Sequence, residues 1–115
     1  MNDSEIFVDG LLQGIPGLRT LYDKHIRDYD SLLPHVFMGD VTRFAIADSD
    51  KPQSRDTISA LFEQLESGLQ AGNDEVTELI VVSFVENLVG EQISLKSLKP
   101  LMGPLLKSEV EHICE

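Results

Sequence analysis

Between Ser54 and Gly72 the apolar residues Ile58, Leu61, Phe62, Leu65 and Leu69 recur at intervals of three and four, which stacks their side chains along one stripe of an α-helix. A strand would alternate apolar and polar residues, and this stretch does not. Ser54, with Thr57 a turn on, opens the predicted helix and Gly72 stops it, since glycine readily takes the left-handed conformation that ends helices. A helix with one apolar stripe has to bury it against other elements. The rest of the chain must supply those elements.

Asn73 and Asp74 cap the next predicted helix, residues 75 to 89, where Val76, Leu79, Ile80, Val81, Val82, Phe84, Val85, Leu88 and Val89 leave only a narrow polar strip. This reads as a nearly buried central helix. The β-branched run Ile80-Val81-Val82 also suits a strand, but the acidic first turn, the length before Gly90 and the lack of a partner strand favour helix. Upstream, Ser4 caps a short helix carrying Ile6, Phe7, Leu11 and Leu12, which Gly10 weakens and Gly14-Ile15-Pro16-Gly17 ends. Residues 18 to 29 form a second helix with Leu18, Leu21, Tyr22, Ile26 and Tyr29 on its apolar side and Arg19, Asp23, Lys24, Arg27 and Asp28 in water. Asp30 or Ser31 caps a third, with Pro34 in its first turn, where a missing N–H is harmless. After a loop at residues 48 to 53 and the two helices above, residues 95 to 113 form a last helix or a broken pair, with Pro100 and Pro104 at first-turn positions. The expected fold is all-α, a single-domain bundle of about five to six helices spanning residues 1 to 115.

A chain of 115 residues can bury enough surface to fold without metal or disulfide support. Its one cysteine, Cys114, has no second thiol to bridge to, and the acidic opening Met1-Asn2-Asp3-Ser4-Glu5 lacks the basic start of a signal peptide. A cytoplasmic location is expected. Twenty Asp and Glu against nine Lys and Arg give a net charge of −11, a field that repels phosphate backbones and anionic lipid and attracts cations. Nucleic acid and membrane are therefore disfavoured as partners. The charge is also uneven. Between Arg55 and Lys96 stand eight acids, Asp56, Glu63, Glu66, Asp74, Glu75, Glu78, Glu86 and Glu91, and no base, whereas the last 20 residues set Glu109, Glu111 and Glu115 against three lysines.

Catalysis has little to build on. G-x-S-x-G, H-E-x-x-H and phosphate-loop motifs are absent, and the conventional neutral-pH bases are His25, His35 and His112. His25 and Asp28, three apart on a charged helix, read as a solvated pair. Glu111, His112, Cys114 and Glu115 could suggest a metal, but ligands this close along one helix point in different directions, so neither metal nor other cofactor is expected. The chain is not expected to be an enzyme. Asp40 and Arg43, three apart in a segment dominated by Val36, Phe37, Met38, Val41, Phe44 and Ile46, should form a partly buried pair that either fixes the helix or serves as a polar anchor for a partner.

Asp56, Glu63 and Glu66 lie near one stripe of the fourth helix, and Glu75, Glu78 and Glu86 along one of the fifth. Acids populate any solvated surface. Like charges within a turn nevertheless destabilise a helix unless something neutralises them, and no Lys or Arg is interspersed. A cationic partner would do so. Asp56, Glu63, Glu66, Asp74, Glu75 and Glu78 are the candidate contact residues.

Two segments, Leu32-Leu33-Pro34-His35-Val36-Phe37-Met38-Gly39-Asp40-Val41-Thr42-Arg43-Phe44 and Glu78-Leu79-Ile80-Val81-Val82-Ser83-Phe84-Val85-Glu86-Asn87-Leu88, together resemble small acidic bacterial proteins encoded with polymorphic toxins, including immunity proteins of contact-dependent growth inhibition systems. The resemblance implies a cytosolic inhibitor that binds a delivered toxin domain. Many such toxins are nucleases, whose phosphate-gripping Lys and Arg would suit an acidic inhibitor. An acidic adaptor or secretion chaperone for another bacterial protein is the alternative expectation.

Overall fold

The computed structural model describes residues 2–114, and all of its regular structure is helical. Seven helices follow in order: α1 (Asp3–Gly14), α2 (Arg19–Tyr29), α3 (Pro34–Ala47), α4 (Arg55–Ala71), α5, α6 (Gln92–Leu98) and α7 (Pro104–Cys114). α5 is one rod of three parts, Asp74–Ile80, a π-helical segment Val81–Val85 and a closing turn Glu86–Leu88. The count exceeds the expected five to six because the last stretch does break. Pro100 sits in a 3-10 turn, Lys99–Leu101, and Pro104 opens a separate helix.

α5 is the central rod, packed on by α1, α3, α4 and α7. Val76, Leu79, Ile80, Phe84, Val85 and Leu88 are buried along it, and they join Leu61, Phe62 and Leu65 of α4 in one continuous core. Phe62 and Phe84 meet edge to face with centroids 5.9 Å apart, a geometry that adds to plain burial. The Cα radius of gyration, 13.1 Å, is what a single domain of this length should have, about 13 Å. No helix among the described residues is long and apolar enough to cross a membrane.

The helix ends depart from the sequence reading in instructive ways. Asn2, not Ser4, caps α1, accepting the Glu5 N–H while the Glu5 carboxylate accepts the Asn2 N–H. Ser4 is buried in the first turn. Neither Asp30 nor Ser31 caps α3. Asp30 closes α2 in the left-handed conformation, φ 61°, and the residue preceding Pro34 is Leu33, which has no capping side chain. Its N–H goes instead to a histidine on α2. Ser54 ends a 3-10 turn and donates its hydroxyl to Asp48 at 2.6 Å rather than capping α4. Gly72 ends α4 at φ 74° as expected.

Candidate functional site

The six carboxylates expected on one surface separate into two groups. Glu66 is buried and turns inward. Its two oxygens accept the backbone N–H groups of Leu105 and Leu106, each at 2.9 Å, which are free donors in the first turn of α7. Gly103, just before Pro104, has no side chain with which to cap that turn, so a carboxylate from α4 does so and also meets the positive end of the helix. A Cβ added to Gly103 would lie 2.5 Å from the Glu66 carboxyl carbon. Glu66 is therefore a structural cap, with both carboxylate oxygens taken up inside the fold.

Glu75 is exposed yet committed in part. One oxygen accepts the buried Ser4 N–H at 2.6 Å, and beside it the Asn73 amide donates to Asp3 at 2.8 Å. The N-terminal ends of α1 and α5 are thereby stitched together. Asn73 caps α5 through the Val76 N–H at 3.0 Å, leaving Asp74 exposed in the first turn. Asp56, Glu63 and Glu78 are exposed. Glu63 borders a shallow cleft of about 430 Å³ with Phe62, Ser67, Gln70, Leu101 and Met102.

Charge pairing follows the uneven sequence. Among the described residues the ion pairs are Lys24–Asp28 at 3.1 Å, Arg43–Asp40 and Lys51–Asp48 at 3.2 Å, with His25 near Asp40. All lie before Arg55. Asp48, gripped by the Ser54 hydroxyl and then by Lys51, has its carboxyl held below the ordinary range despite partial burial. No acid from Asp56 to Glu91 is in an ion pair among the described residues. The Asp40–Arg43 pair is less buried than expected, because Arg43 is 69% exposed and Asp40 30%. It lies at the rim of the core, where such pairs contribute little.

The histidines depart furthest from the expectation. His25 is 1% exposed, not solvated, and Asp28 pairs with Lys24 instead. Its Nε2 accepts the Leu33 N–H at 3.0 Å, so the ring closes the α2–α3 corner in place of a cap. The tautomer that accepts there carries its proton on Nδ1, which has no hydrogen-bond partner and lies 3.9 Å from an Asp40 oxygen. Tyr29 and Phe37 pack on the ring with centroids at 4.9 and 5.7 Å. The signal was present in the sequence: His25 is seven residues after Leu18 and four before Tyr29, inside the apolar stripe.

His35 Nδ1 contacts the Ser83 hydroxyl, a pairing that no local spacing reveals. It ties α3 to the π-segment of α5, where the Ser83 carbonyl takes donors from Asn87 Nδ2 at 2.9 Å and Thr42 Oγ1 at 3.1 Å. Such a segment adds a residue to the turn and leaves carbonyls for side chains to satisfy. The two segments singled out at the sequence level, residues 32 to 44 and 78 to 88, are thus packed against each other. His112 is exposed on α7, and the side chains of Cys114 and Glu115 lie outside the described residues.

The carboxylates with free edges project from α4 and α5 without bases between them. No curated protein and no solved structure matches the chain. A family model described as a domain of unknown function, DUF7674, matches residues 8–115, and the chain belongs to that family.

Proposed function

We propose that this chain is a protein-binding inhibitor, an immunity protein that holds a cationic toxin domain, a nuclease in the simplest case, through exposed carboxylates of α4 and α5. The observation that carries the reading is the absence of ion pairs among the described residues beyond Lys51, while Asp56, Glu63, Asp74 and Glu78 stand exposed. Opposed fields steer association and select partners more than they add raw affinity. Glu66 is withdrawn from the contact set and Glu75 keeps one oxygen for it. The inhibitor acts in the cytoplasm, and the proposal requires no metal, cofactor or catalytic step of its own.

Co-expression with the neighbouring open reading frame tests the function directly. Restored growth of cells producing a toxin domain from that frame is expected. Unrelieved toxicity despite folded inhibitor, or a neighbour that is bound but harmless, would move the reading to an adaptor or secretion chaperone. Charge reversal at Asp56, Glu63 and Glu78 tests the surface. It should weaken toxin binding by on the order of tenfold or more and flatten its salt dependence.

A further inference from the structure

We propose that the groove where the first turns of α1 and α5 meet the end of α4 is a docking site for a cationic helix of a protein partner, one bulky aliphatic side chain seated in it with lysine or arginine alongside. The inference rests on the binding function above and names the partner's chemistry. The groove is open, about 200 Å³, with Ile6, Phe7, Ala71 and Val76 as its apolar lining and Asp3 and Asn73 at its mouth. A cavity of about 150 Å³ suffices for benzene, so one branched aliphatic side chain fits. Ile6 is 54% exposed although it is large and apolar, leaving surface that a partner could cover.

The depth of the groove depends on Gly68. A Cβ there would come within 2.8 Å of Phe7 and 3.0 Å of Ile80, so glycine lets the Phe7 ring settle against α4. Glycine inside a helix costs about 1 kcal/mol relative to alanine, which close approach of the ring offsets. The mouth is negative on balance. Asp3 lines it, and Asp74 and Glu75 follow Asn73 in the first turn of α5, so two helix-end partial charges of roughly +0.5 against three carboxylates leave roughly −2. Two of the three are already held, Asp3 by the Asn73 amide and Glu75 by the Ser4 N–H. A partner therefore meets a rim that is ordered before it arrives. Apolar floor and anionic rim together select a hydrophobe flanked by cations. A second copy of this chain would bring another net charge of −11, and a nucleic acid would be repelled.

The probe is a synthetic helical peptide with one leucine and lysines one turn to either side, titrated into the isotope-labelled full chain and followed by NMR. Amide shifts that saturate and centre on Ile6, Phe7, Ala71 and Val76 are expected. Replacing leucine by serine or the lysines by glutamate in the peptide should abolish them. Ala71→Arg, at an exposed position that keeps the fold, should weaken binding by about tenfold. No shifts, shifts centred elsewhere, equal binding of the glutamate peptide, or an unaffected A71R protein would each overturn the docking site. Shifts that grow with protein concentration without peptide would assign the groove to a second copy and overturn it as well. Failure of toxin rescue with the peptide seated in the groove leaves this site standing and removes the toxin reading. Rescue that is indifferent to A71R does the reverse.

Discussion

Residues before Arg55 and those from Asp56 to Glu91 use their charges in opposite ways. In the first region three acids find cations nearby, Asp28 with Lys24, Asp40 with Arg43 and Asp48 with Lys51. In the second there is no cation to find, and the carboxylates either turn to backbone N–H groups, as Glu66 and Glu75 do, or remain open to solvent. Helix N-termini thus take the place of lysines where lysines are missing. The difference separates acids that hold the fold from acids free to meet something else. Substitutions in the two sets should have opposite signatures.

The largest expected effect is in the first region. His25→Ala removes a fully buried ring and leaves the Leu33 N–H without its acceptor, so denaturant unfolding should show a loss of about 3 kcal/mol. Next comes Glu66→Ala, which removes two charge-assisted hydrogen bonds at the start of α7 and should destabilise by about 2 kcal/mol, with Glu66→Gln milder because one acceptor oxygen is kept. If Glu66→Ala left stability unchanged, the division between structural and free acids would fail. Asp48→Asn should lower stability by about 1 kcal/mol at neutral pH. Because the folded-state carboxyl of Asp48 is held low, its contribution is complete above the unfolded value near about 4 and is lost as the pH falls below that. The gap between wild type and variant in a pH series should therefore close in acid. Smallest of all, Glu63→Lys with Glu78→Lys should shift stability by less than about 0.5 kcal/mol, and toward greater stability, since like charges are relieved.

The same two regions differ in how legible they were. α4 could be read from its own spacing, and the Asn73 cap and apolar density of α5 placed the central helix, because these features are local. Glu66 turns inward although Asp56 and Glu63 on the same helix do not, and the spacing carries the difference. At about 100° per residue Glu66 lies roughly 80° from Ile58, at the edge of the apolar stripe, whereas Asp56 and Glu63 lie roughly 160° and 140° away. His25 is polar by residue type, but its position between Leu18 and Tyr29 on the apolar stripe is what decides its burial. The Ser83–His35 tie and the reach of Glu66 to α7 join residues far apart in the chain. No local pattern encodes such contacts.

The measurement that bears most directly on the proposed acidic contact surface is the affinity of this chain for the protein of the neighbouring frame, the proposed toxin, across a salt series, for wild type and for Glu63→Lys with Glu78→Lys. Wild-type affinity should fall steeply as salt rises, the variant should bind more weakly at low salt, and the two should converge at high salt while both remain folded. Parallel salt curves of equal affinity would contradict this, placing the contact surface away from the unpaired carboxylates of α4 and α5.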